Sequence, residues 1–213
     1  MPAPEPDRPD RPDRPERIGI MGGTFDPPHV GHVAAATAVV EALSLDRLLL
    51  VVANDPWQKS PTRRISPAED RFAMTEAMAA DIPVAEASRL EIDRGGPSYS
   101  VDTAEEILAR AAAAGKARPA LFLVVGADLV PELGTWHRVD DLKGAVTLAV
   151  VSRPTAPPPE LPPGWQVVRI DGPQVDVSSS EVRERLQRGN PVNDVVPEPV
   201  IHCIRRRALY AVA

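Results

Sequence analysis

Three short runs in this chain are apolar at nearly every position: "RLLLVVA" from Arg47 to Ala53, "LFLVVG" from Leu121 to Gly126, and "VTLAVVSRP" from Val146 to Pro154. A strand with one face in water alternates apolar and polar residues. These runs do not alternate, so both of their faces must be covered, as in a parallel sheet with helices on each side. "RIGIM" at Arg17–Met21 and "WQVVRI" at Trp165–Ile170 are two further candidate strands. The segments between them are apolar at helical spacing, as with Val30, Val33, Ala34, Val40 and Leu43 after the first strand. "SPAEDRFAMTEAMAA" predicts a helix with Ser66 as N-cap, Pro67 at the first helical position and Glu69 completing a capping box. A further helix is expected from a cap at Ser100 to a stop at Gly115, another in "SSSEVRERLQRG", and a last one from Glu198. Strands alternating with helices define an α/β fold, a doubly wound parallel sheet with right-handed crossovers and C-terminal helices. Ligands of such sheets bind outside the carboxyl ends of the strands.

The chain has 213 residues, enough for one such domain. Residues 1–16 repeat Pro, Asp and Arg, a composition with no backbone donors to spare and nothing to bury, and are expected to form a disordered tail. The single folded domain is then 17–213, with "TAPPPELPPG" at Thr155–Gly164 a loop inside it. No long apolar run points to a membrane, and the start lacks the apolar core of an export signal, so a cytoplasmic protein is expected. A net charge of −6 argues against nucleic acid as a partner. The one cysteine, Cys203, excludes an internal disulfide and reads as a small buried hydrophobe. The "RRR" of Arg205–Arg207 reads as a solvated helix face. Whether the chain forms a homo-oligomer is not legible.

Directly after the first strand comes "GGTFDPPHVGH", Gly22 to His32. Gly22 and Gly23 permit a sharp turn and a close approach of backbone to ligand. Pro27 and Pro28 stiffen the loop before a helix whose start, by its amides and dipole, favours an anion. His29 and His32, three apart, share one face of its first turn and can donate to phosphate oxygens, more strongly as charge builds in a transition state. A zinc pair is the competing reading of the two histidines, but zinc wants three or four ligands and the chain has only two other histidines. "SSS" before a helix reads first as a cap.

The order of glycine turn, Thr-Phe-Asp, proline and HxGH after the first strand resembles the HxGH nucleotidyltransferases, a Rossmann-like fold, and within them the bacterial nicotinate-nucleotide adenylyltransferases. The likeness extends from Ile18 to Tyr210 through "WQKS", "EDRFAM" with Arg71, "GPSYSVDT", "VVGADLV", "TWHR", "VSRP" and "DVSSSEVRERL". It implies transfer of the adenylyl group of ATP to nicotinate mononucleotide, giving the deamido dinucleotide and pyrophosphate. No covalent intermediate or general base is implied, and Mg2+ would be carried on ATP. His29, His32 and Arg183 would be catalytic. Gly22, Gly23, Thr24, Phe25, Lys59, Gly126, Asp128, Arg153, Ser179 and Ser180 would bind ATP, with Asp128 on the ribose or capping a helix. Tyr99, Ser100, Thr103, Trp136 and His137 would bind the acceptor, Trp136 stacking on its ring. His137 stands where another aromatic is frequent, and Ser100 and Ser180 where threonine is common. Pantetheine-phosphate adenylyltransferase, a side activity on nicotinamide mononucleotide and a non-catalytic nucleotide sensor on the same fold stay open.

Overall fold

The computed structural model describes residues 14–56, 65–152, 160, 163–172 and 175–210. Six strands form one sheet: β1 (Arg17–Gly23), β2 (Arg47–Val52), β3 (Ala85–Ser88), β4 (Ala120–Gly126), β5 (Thr147–Ser152) and β6 (Val167–Asp171). Their order is β3-β2-β1-β4-β5-β6, and every pairing is parallel. Helices α1 (Val30–Leu43), α2 (Ala68–Ala79), α3 (Leu90–Arg94), α4 (Ser100–Ala113), α5 (Val139–Ala145), α6 (Ser179–Gln187) and α7 (Glu198–Arg206) cover it, with a 3-10 stretch at Ala127–Thr135. This is the doubly wound fold expected from the apolar runs.

The strands divide their side chains between two cores with period two. Leu48, Leu50 and Val52 of β2, with Phe122 and Val124 of β4, face a core closed by α1, α2, α6 and α7. Leu49 and Val51, with Leu121, Leu123 and Val125, face a second core closed chiefly by α4 and α5. Burial on both sides is what removes any polar alternation from these runs. Cys203 lies in the first core, 4% exposed. The Arg205–Arg207 run is exposed, with Arg207 paired to Asp70 at 2.7 Å. No helix among the described residues is long and apolar enough to cross a membrane.

Two helix starts differ from expectation. α2 begins at Ala68 with Pro67 as its N-cap and no side-chain cap. Ser66 is held elsewhere, its amide donating to Asp26 Oδ2 at 3.4 Å and its carbonyl accepting from Arg71 Nε at 2.8 Å. α4 is capped by Tyr99, not Ser100, which is its first helical residue. β3, α3, the 3-10 stretch and α5 were not legible as separate elements.

The chain winds outward from β1 to β3 in one direction, then from β4 to β6 in the other. The connections after neighbouring β1 and β4 therefore leave in opposite directions, which opens a crevice outside their carboxyl ends.

Candidate active site

The loop from Gly22 to His29 emerges at that crevice. Phe25 takes a left-handed φ of 51°, is 2% exposed, and folds its ring back over Gly23, where a Cβ would sit 2.8 Å from the ring. Gly22 has nothing within 4 Å of the place its Cβ would take, so its backbone faces open space. Side chains from distant elements fix the rest of the loop through its carbonyls. Arg71, 1% exposed, donates to Thr24 at 3.0 Å and to the Ala53 and Asn54 carbonyls after β2 at 2.6 and 3.1 Å. Its charge thus meets carbonyl dipoles rather than water. Arg183 Nη1 donates to the Asp26 carbonyl at 2.7 Å, and Ser179 Oγ to that of Pro27 at 2.9 Å.

His29 is the N-cap of α1, and its backbone amide donates to His32 Nδ1 at 3.1 Å. A neutral His32 with an accepting Nδ1 carries its proton on Nε2. The two imidazoles lie 3.8 Å apart between centroids, and Phe25 is 5.1 Å from His32 on another side. Burial pushes His29 down to about 4, so near neutral pH it is an uncharged imidazole. Its Nδ1 is buried with no hydrogen-bond partner among the described residues. A Cβ on Gly31 would lie 3.0 Å from that nitrogen and 3.2 Å from Val177, so the glycine makes room for the ring. One first-turn amide of α1, that of Val30, is taken by the Val195 carbonyl at 3.0 Å, which trims the donor set expected at this helix start.

The second helix start is that of α6. Ser178 caps it, accepting from the Glu181 amide at 3.2 Å. Arg183 Nη2 donates to Ser180 Oγ at 2.9 Å. The Ser179 hydroxyl proton is engaged by Pro27, so this serine contributes chiefly its backbone amide to any anion. The bonds to Asp26 and Pro27 hold α6 against the loop that leads into α1.

Beside the loop lies a cavity of about 190 Å³ whose walls include Gly22, Thr24, Tyr99, Ser100, Trp136 and His137. His137 stacks on Tyr99 with centroids 4.3 Å apart. The Trp136 indole N–H is buried and has no acceptor among the described residues. Thr103 does not line this space. It is 0% exposed, with its hydroxyl donating to Glu91 Oε1 at 2.8 Å, so it acts behind the wall. Glu91 itself reaches the cavity together with Ser98. Burial raises its carboxyl above the usual range, against the opposing effect of the Ser98 and Thr103 hydroxyls and Arg94. On the β4 side, exposed Asp128 folds back over Gly126 and makes no cap bond, so its carboxylate is not occupied as a helix cap. Lys59 and Arg153 lie outside the described residues. Among the described residues no three His, Cys, Asp or Glu side chains converge as a metal cage.

Sequence reading missed Asp26, Glu91, Ser98 and Tyr210, and gave Arg71 no role. Asp26 and Ser98 lay inside quoted motifs without a role, and Arg71 left a trace of its own: it shares the buried stripe of α2 with Met74, Thr75 and Met78, where a charge is out of place.

The cytidylyltransferase-like family model matches residues 20–185. A protein of Acidothermus cellulolyticus named "Probable nicotinate-nucleotide adenylyltransferase" is 40% identical over 196 residues, covering 91% of this chain and 93% of its own. One of the same name from Thermus thermophilus is 42% identical over 195 residues, covering 91% and 98%. The chain belongs to the nicotinate-nucleotide adenylyltransferase family. A more distant member of known structure, the Plasmodium falciparum nicotinic acid mononucleotide adenylyltransferase complexed with NaAD, has the same fold at 17% identity. Its TM-score is 0.70, over 92% of this chain and 97% of that one. The family resemblance carried by "GGTFDPPHVGH" thus extends over 91% of the chain.

Proposed function

We propose that this protein transfers the adenylyl group of magnesium-ATP to nicotinate mononucleotide. The observation that carries the reading is the joining of two helix starts, one bearing His29 and His32 and the other Arg183, by one loop beside the cavity of Tyr99, Trp136 and His137. The names of the relatives and the NaAD complex of the Plasmodium falciparum protein support the choice of acceptor.

The chemistry asks little covalent help from the protein. An oxygen of the acceptor's phosphate bonds to the α-phosphorus of ATP, and the bond to the β-bridging oxygen breaks, its electron pair leaving with pyrophosphate. That phosphate is already ionised, so no side chain has to remove a proton. The catalytic task is to align two anions and meet the charge that builds on the phosphates. His32 Nε2 is turned to donate for that purpose, since Nδ1 accepts the helix-cap amide. Arg183 supplies a cation and a forked donor set. His29, kept neutral by burial, binds as a dipole without repelling Mg2+. Mg2+ would be carried on ATP, where it would offset phosphate charge while keeping most of its own water. Asp128 and Gly126 suit the ribose, and Lys59 and Arg153 are assigned to ATP by the family resemblance alone. Trp136 offers a face to the pyridine ring, with Tyr99, Ser100 and His137 around it. The enzyme works in the cytoplasm, where ATP is supplied.

The test is pyrophosphate release from magnesium-ATP with nicotinate mononucleotide, nicotinamide mononucleotide and phosphopantetheine in parallel. The nicotinate form is expected to be preferred, with His32→Ala lowering its turnover by roughly 10²–10³. Release with phosphopantetheine alone would overturn the acceptor. ATP binding without release for any acceptor would indicate a sensor.

A further inference from the structure

The last described residue of the chain takes part in the loop that carries the two histidines. Tyr210 donates its hydroxyl to Asp26 Oδ1 at 2.6 Å. Asp26 is 1% exposed, and its other oxygen accepts from the Ser66 amide. The same residue presents its backbone carbonyl to Arg183 Nη1. Two bonds therefore separate the C-terminal hydroxyl from the guanidinium that the ATP reading assigns to the phosphates.

The backbone bends to make this contact. After α7 the chain passes through φ of 52° at Ala208 and 62° at Tyr210, both in the left-handed region that side chains other than glycine's disfavour. The amide of Leu209 closes back on the Ile204 carbonyl at 3.0 Å, turning the segment toward the loop. Strain held at a residue that reaches a functional loop is a reason to ask what the contact does there. The burial and the neighbouring Asp26 charge both push the Tyr210 phenol above its usual range, so it stays a donor at every working pH. A buried carboxylate with its donor removed is costly and will move to find another. Asp26 is gripped by its carboxylate through Tyr210 and Ser66 and by its carbonyl through Arg183, so releasing the carboxylate frees the residue on which Arg183 is held.

We infer that Tyr210 is a positioning residue for the ATP half of the site, acting through Asp26 to fix Arg183 and the loop before His29. The inference rests on the reading that Arg183 and the histidines hold ATP phosphates.

Binding of an ATP analogue with a methylene between the α and β phosphorus, measured by titration calorimetry, tests it together with steady-state kinetics. Tyr210→Phe is expected to weaken the analogue and raise KM for ATP about tenfold, and to lower kcat, with KM for nicotinate mononucleotide unchanged. Asp26→Ala should do the same, and the double variant should be no worse than Asp26→Ala alone. Ile204→Val, which loosens α7 and keeps the hydroxyl, should bind the analogue as the wild type does. If Asp26→Ala does not fold, the split between ATP and acceptor in Tyr210→Phe decides alone. Unchanged analogue binding in Tyr210→Phe, an equal loss for both substrates, or a double variant showing the product of the single effects would overturn the role. A wild-type protein that does not bind the analogue would bring down the ATP reading itself, and the Tyr210 role with it.

Discussion

His29 combines two demands that conflict in water and are reconciled by burial. A donor toward phosphate is strongest as an imidazolium, yet a buried cation there would be costly before any ATP arrives. The structure keeps it neutral, with its pKa down at about 4 against an ordinary 6.5. That depression has a consequence for stability. Below pH 6.5 the unfolded chain protonates this imidazole while the folded chain does not, so the unfolded state binds more protons and folding weakens as pH falls. The contribution is complete above 6.5 and is lost progressively down to about 4, on the order of 3 kcal/mol in all. His29→Gln removes the titrating group. Urea melts at steps between pH 7 and 4 should show a shallower loss of stability in the variant. Parallel curves would mean that the imidazole is protonated in the folded state as readily as in water.

At the scale of the element, α1 shows how a helix start is shaped by what it must carry. Gly31 is a poor helix former, and replacing it with alanine should gain about 1 kcal/mol of propensity. The space for that methyl is taken by the His29 ring at 3.0 Å and Val177 at 3.2 Å. The ring, whose Nδ1 has no hydrogen-bond partner among the described residues to hold it, is the neighbour that yields. Gly31→Ala is therefore expected to keep its Tm within a few degrees while kcat/KM for ATP drops about tenfold, from a displacement of a few tenths of an ångström to an ångström. Pyrophosphate-release kinetics and a thermal melt of the same preparation check this. The glycine between the histidines was legible as a letter in a motif, but its reason was not, since Val177 is far away in sequence. The misread start of α2 has the same origin. Ser66 and Ser100 look like caps locally, and tertiary bonds to Asp26 and Arg71 override the first of them.

For the whole molecule, what sequence revealed and what it hid follow one physical line. Strands buried on both faces announce themselves, because two cores demand apolar residues at every position, and β2, β4 and β5 were legible for that reason. β3, with "AEAS" at the sheet's edge and one neighbour, carries no such demand. Residues in the opening loop were legible because their chemistry is local. Ser66, Arg71 and Tyr210 act on that loop from 40 to 184 residues away, through bonds that only the fold creates. The site is thus a junction of α1, α2, α6 and the C-terminal segment, and ATP bound there should tighten all of them at once. At a hundred times its Kd, ATP adds about 2.7 kcal/mol to stability, which for a chain of this size is a rise in Tm of roughly 5–10 °C. Magnesium-ATP should produce that rise in the wild type and little of it in His32→Ala. Hydrogen exchange should slow together in residues 22–32 and 178–183. Protection confined to one of these two segments would mean that ATP engages only one helix start, and that the bonds through Asp26 and Pro27 hold the fold without serving the ligand.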